Sequence, residues 1–211
     1  MSAVRRLVVE ADGGSRGNPG PAGYGAVVID AATGETLAEA AEYIGVATNN
    51  VAEYRGLIAG LTAAKALFPD AGTTGPDLRV HVRMDSKLVV EQMSGRWKIK
   101  HPDMKPLAAR AAAILPPSSV TYEWIPRAQN KHADRLANEA MNAGRDGRQW
   151  EAAASTAELD APPAPRCPTG ARPATRRRAR RRPAALAAAR ADGGGNAVRG
   201  ARGGGTSAAI R

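Results

Sequence analysis

The stretch Leu7-Val-Val-Glu-Ala-Asp-Gly-Gly-Ser-Arg-Gly-Asn-Pro-Gly20 sets how the rest of the chain is read. Leu7, Val8 and Val9 form an apolar run of the kind that builds a buried strand. The expected strand covers Arg5 to Ala11, and one carboxylate, Asp12, follows where it gives way to Gly13-Gly14. The turn beyond holds Ser15, Arg16, Gly17 and Asn18 ahead of Pro19-Gly20. Glycines lack a Cβ and let a bulky polymer come close to the backbone. Ser15 and Asn18 offer hydrogen bonds, and Arg16 offers positive charge. A carboxylate at a strand end beside such a loop suits a hard cation held next to a phosphate. An ordinary strand and turn would read the same way, so the decision rests on where other acids fall.

Outward from this stretch, Tyr24 to Asp30 reads as a second strand, Ala32-Thr33-Gly34 as a hairpin turn and Glu35 to Ile44 as a third strand. Asn49 or Asn50 is expected to cap a helix running to Leu67, with Glu53 near its start. Gly56 and Gly60 weaken that helix but allow it to approach a sheet closely. Leu78 to Met84 alternates apolar and polar residues as a fourth strand, and Asp85-Ser86 follows directly. Short helices are expected over Lys87–Met93 and Met104–Leu115, a fifth strand over Val120–Ile125, and a last helix over Lys131–Asn142 ended by Gly144. The pattern predicts one α/β domain, a five-stranded mixed sheet flanked by helices.

The net charge of +10 is unevenly placed. Residues 1–150 carry 18 Lys/Arg against 16 Asp/Glu, whereas residues 151–211 carry 12 Arg against 4 Asp/Glu. High basicity therefore belongs to the tail, and a nucleic-acid argument from total charge would mislead. The single cysteine, Cys167, excludes a disulfide framework or a cysteine zinc site within one chain. The apolar run after Arg5-Arg6 is too short for a signal-peptide core, and no run approaches a membrane span. The expectation is a soluble, cytoplasmic, monomeric protein with no membrane partner. The domain is expected to cover residues 1–147, and residues 148–211 a low-complexity Ala/Arg/Gly/Pro tail, disordered, with the basic run Arg176–Arg182.

Asp12 ends a strand, Asp85 ends another, Glu53 lies near a helix start and Asp134 lies on the last helix. Parallel neighbouring strands would bring Asp12 and Asp85 to the same end of the sheet. Carboxylates gathered there repel one another unless a cation binds, and oxygen ligands without Cys or His favour Mg²⁺ or Mn²⁺. Taken singly, each is an ordinary surface acid; their flanks make the difference.

Those flanks, Asp12-Gly-Gly-Ser-Arg-Gly-Asn-Pro-Gly20, Thr48-Asn-Asn-Val-Ala-Glu53, Asp85-Ser86 and Asn130-Lys-His-Ala-Asp-Arg-Leu-Ala137, resemble the type I ribonuclease H family, in order, over about residues 4–145. The resemblance implies a ribonuclease H-like fold. It implies that Asp12, Glu53, Asp85 and Asp134 ligate two Mg²⁺ or Mn²⁺ ions. It also implies endonucleolytic hydrolysis of the RNA strand of RNA–DNA hybrids, leaving 5′-phosphate and 3′-hydroxyl ends.

Reading 2′-hydroxyls from the minor groove falls, by the same resemblance, to the loop with Gly13, Ser15, Arg16 and Asn18, and to Asn49 and Asn50. Thr48 matches a DNA-phosphate contact, and Trp97 with Lys98 an aromatic-basic contact to the DNA strand. Two departures stand out. No extra basic helix fits between Met93 and Met104, and the loop Pro126–Asn130 is short and lacks a histidine. Arg127 is the candidate stand-in, as an auxiliary group for product release. His132 is expected on the surface. Double-stranded RNA is a second candidate duplex, and a non-catalytic module that binds hybrid or double-stranded RNA is the alternative function.

Overall fold

The computed structural model describes residues 4–71 and 77–157. The element order is β1 (Val4–Ser15), β2 (Gly20–Asp30), β3 (Thr36–Ala47), α1 (Asn49–Leu67), β4 (Asp77–Met84), α2 (Lys87–Met93), α3 (Met104–Ala112), β5 (Val120–Trp124) and α4 (Lys131–Arg145). The sheet order is β3-β2-β1-β4-β5. β1, β2 and β3 pair antiparallel; β4 pairs parallel with both β1 and β5. The expected five-stranded mixed α/β sheet and ribonuclease H-like arrangement are present.

Two layers of helix cover the two faces. Side chains alternate along a strand, so Leu7, Val9 and Ala11 of β1 enter the larger core with Val80, Val82 and Met84 of β4 and Leu57 and Leu61 of α1. On this face a Cβ at Gly60 would lie 2.5 Å from Val9 Cγ1, and one at Gly56 2.8 Å from the Asp12 carbonyl. These two glycines let α1 settle onto the sheet as the spacing suggests.

The opposite face is covered by α4, where Val27 packs with Leu136 and Ala157. α4 runs through Gly144 rather than ending there, and the glycine serves instead for close packing: a Cβ would lie 2.1 Å from the ring of Tyr43. His132 is also not a surface residue. It is 7% exposed and lies 2.6 Å from Oε1 of Glu39, itself 7% exposed. Glu39 on β3 faces α4, and the pair satisfies two polar groups that the helix–sheet interface has removed from water.

β1 is longer than its apolar run. Beyond Ala11 it continues pairing with β2, as far as Ser15 opposite Ala22. The helix cap also differs: Thr48, not Asn49 or Asn50, caps α1 by accepting from the Val51 N–H at 3.4 Å. The expected domain end at residue 147 falls before a packed segment. After α4 the chain turns back along it, and Glu139 accepts from Trp150 Nε1 at 2.9 Å and from the Thr156 N–H at 2.9 Å. The Gln149 amide donates to the Tyr43 carbonyl at 3.0 Å and accepts from the Tyr43 N–H at 3.1 Å. The remainder of the expected tail, with Arg176–Arg182, lies outside the described residues.

Candidate active site

β1 and β4 set the site. Their last paired rung is Glu10 opposite Arg83. Asp12 and Asp85 each lie two residues beyond it, so the parallel register brings both acids to one end of the sheet. Asp12 is not at a strand terminus as expected. It sits where β1 has lost its parallel neighbour but still pairs with β2, opposite Gly25.

Glu53 arrives from the other side of the sheet, on α1. Its approach depends on Gly13: a Cβ there would lie 2.1 Å from the Glu53 backbone nitrogen and 2.2 Å from the Ala52 carbonyl carbon. Gly13 thus serves by close packing and by donating its N–H to Asp12 Oδ1 at 2.9 Å. Asp134 comes from the first turn of α4.

Asp12 and Glu53 are each 6% exposed, and Asp85 and Asp134 are half-buried. Burial pushes the Asp12 carboxyl up to about 8, and the charges of Asp85 and Asp134 add to the effect. The Gly13 N–H and Arg127 act in the opposite direction. Burial, then Asp12 and Asp85, hold Glu53 well above the usual carboxylate range. Its Oε1 accepts from Asn49 Nδ2 at 3.4 Å, whereas its Oε2 is buried with no hydrogen-bond partner. Asp85 and Asp134 thus act on Asp12, and Asp12 and Asp85 on Glu53.

These residues fit a hard divalent cation. Buried, mutually repelling carboxylates with an orphaned oxygen are relieved by positive charge. Among the described residues no three acidic, cysteine or histidine side chains are already drawn tightly enough to hold an ion. Arg127 supplies the positive charge meanwhile: its guanidinium bonds to Asp134 Oδ1. The candidate stand-in thus reaches the site from the short loop.

The turn between β1 and β2 is joined to α1. Asn18 Oδ1 accepts from the Asn49 N–H at 3.2 Å. The Ser15 hydroxyl faces the carbonyls of Gly17, Gly20 and Ala47, the last at 2.8 Å, so it closes the turn against Thr48. Arg16 is exposed and bonds to Asn142 of α4. Asn50 is exposed at the helix start. Trp97 and Lys98 are exposed on the segment after α2.

Two residues without an assigned role belong here. Asn130, fully buried, donates from Nδ2 to Asp85 Oδ1 at 2.8 Å and faces the Ala11 carbonyl at 2.9 Å. Its position before a helix carrying Asp134 was the available signal. Trp124 donates from its indole nitrogen to the Asp85 carbonyl at 3.1 Å.

Residues 10–140 match the family described as reverse transcriptase-like. The chain belongs to the ribonuclease H family. It is 55% identical over 170 residues to the bifunctional protein Rv2228c of Mycobacterium tuberculosis, covering 79% of this chain and 44% of that protein. The chain thus spans under half the length of that relative. The solved N-terminal RNase H domain of Rv2228c from the same organism is 57% identical, with a TM-score of 0.61 over 68% of this chain and 98% of that one. LC11-RNase H1, solved in complex with an RNA/DNA hybrid, is 42% identical, with a TM-score of 0.60 over 66% of this chain and 99% of that one.

Proposed function

We propose that this protein is a metal-dependent endoribonuclease that hydrolyses the RNA strand of RNA–DNA hybrids. One observation carries the reading: Glu53 Oε2 is buried without a partner in a site where burial and Asp85 push Asp12 up to about 8. A module that only binds phosphates has no use for four acids facing them. Membership of the ribonuclease H family, and the hybrid complex of LC11-RNase H1, support the choice of substrate.

Asp12, Glu53, Asp85 and Asp134 would hold Mg²⁺ or Mn²⁺. Two such ions, when bound, supply an activated water for in-line attack and stabilise the leaving 3′-oxygen, giving 5′-phosphate and 3′-hydroxyl ends. Asn130 orients Asp85 through its amide. Asn18, which accepts from the Asn49 N–H, and Asn49 would read 2′-hydroxyls with their side-chain amides. Arg127, paired with Asp134, would yield that carboxylate to a bound cation and would remain as an exposed positive group for the departing product.

The test incubates the full chain with end-labelled hybrid and matched DNA duplex, with Mg²⁺, with Mn²⁺ and with chelator. The expected result is metal-dependent cutting of the RNA strand alone, lost in Asp85→Asn. Full activity in Asp85→Asn, or binding without cutting in either metal, overturns the reading.

A further inference from the structure

Trp124 ends β5 directly opposite Met84, the last residue of β4. The Ile125 N–H donates to the Met84 carbonyl at 2.9 Å, and the Trp124 indole N–H donates to the Asp85 carbonyl at 3.1 Å. Two bonds therefore clip the end of β5 to the backbone that carries Asp85. The ring nevertheless remains 48% exposed. A lone exposed aromatic is ordinary on a protein surface. This one differs because its N–H is already engaged, which fixes the ring, and because its anchor is the peptide group of a site acid.

We infer that Trp124 is a binding residue for the nucleic-acid strand, its indole face packing on the sugar of a nucleotide that flanks the phosphate held at Asp85. The inference rests on the hydrolase reading above and adds a contact to the same site. The bases of a duplex are stacked on one another, but every nucleotide exposes its sugar, so an aromatic surface that packs there accepts any sequence. A ring held in place before binding also loses little freedom when a sugar settles on it. The acids beside it repel phosphate until cations arrive, whereas a neutral aromatic face attracts a nucleoside regardless. Lys98 and Arg16, both exposed, act through charge and weaken with salt. Trp124 contributes the part of binding that salt leaves untouched.

The test measures binding of fluorescently labelled hybrid to the full chain by anisotropy, in Mg²⁺ and on the Asp85→Asn background so that nothing is cut, across a salt series. Trp124→Ala removes the ring and its N–H; Trp124→Phe removes the N–H but keeps an aromatic face. The expected result is binding weakened roughly tenfold in Trp124→Ala, an unchanged salt slope, and most of the loss recovered in Trp124→Phe. Unfolding midpoints of both variants establish that they are folded. Trp124→Ala binding like the parent, or Trp124→Phe as weak as Trp124→Ala, overturns the inference while leaving a parent that cuts hybrid intact as a nuclease. A parent that neither binds nor cuts hybrid overturns the hydrolase reading and this inference with it.

Discussion

Asn130 Nδ2 lies 2.8 Å from Asp85 Oδ1 and 2.9 Å from the carbonyl of Ala11. One buried side chain thereby ties the middle of β1 and the end of β4 to the start of α4, and does so through a carboxylate of the site. Asn130→Ala leaves an acceptor on each strand without its donor. The expected cost is about 2 kcal/mol in urea unfolding, with a fall in kcat larger than any rise in KM, because the orientation of Asp85 is lost while the substrate surface is not.

Gly13→Ala tests the seam between β1 and α1. The added methyl meets backbone atoms of Ala52 and Glu53, which cannot rotate aside as a side chain would. Overpacking against fixed backbone is expected to destabilise the domain by about 3 kcal/mol, read by urea denaturation. A neutral result would mean that α1 does not lie against the strand as described.

The acids make a prediction about pH. The folded-state value of Asp12, about 8, lies above its ordinary 3.8. Between these values the native state binds more protons than the unfolded chain, so stability falls as pH rises. The contribution of Asp12 is fully present below 3.8 and is lost as pH rises through about 8. In chelator, the melting temperature is expected to decline from pH 5 to pH 9. Asp12→Asn should flatten that decline, and added Mg²⁺ should do the same in the parent chain. A parent melting curve indifferent to pH over this range would count against a charge-strained site.

Arg127 and the cation compete for one carboxylate. Arg127→Ala removes the guanidinium from Asp134. Calorimetric titration with Mn²⁺ is expected to show binding tightened a fewfold, a modest effect because the arginine side chain is 74% exposed and screened by water. Weaker Mn²⁺ binding would instead make Arg127 a support of the site.

The segment after α4 is predicted to be part of the domain. A chain ending at residue 147 loses Trp150, Thr156 and Ala157 from the surface of Leu136 and Glu139. Compared with a chain ending at residue 157, it is expected to be less stable by about 2–3 kcal/mol. Equal unfolding curves would show that the packed return contributes nothing.

The four acids were legible because each sits beside a local feature: the end of an apolar run, a helix start, a turn. Gly56 and Gly60 were legible for the same reason, being four apart on one helix. What escaped was set by partners distant in sequence. His132 reads as a surface residue on its own helix, but Glu39, which buries it, is 93 positions away. The length of β1 depends on β2, whose pairing carries the strand past its apolar run to Ser15. Gly144 reads as a stop signal until Tyr43 is placed against it. Asn130 stood within a recognised motif without a task, because its task is to join β1 to the residue after β4.

Gln149 has a consequence beyond its own hydrogen bonds. β3 is an outer strand of the sheet, and an outer strand offers its unpaired amides and carbonyls to any other extended chain. At Tyr43 both groups are already taken by a single side-chain amide, which imitates one rung of a neighbouring strand. Trp150 and the residues after it then keep that amide in place. The return of the chain along α4 is therefore also a guard against self-association, and a protein shortened before Gln149 would lose solubility as well as stability.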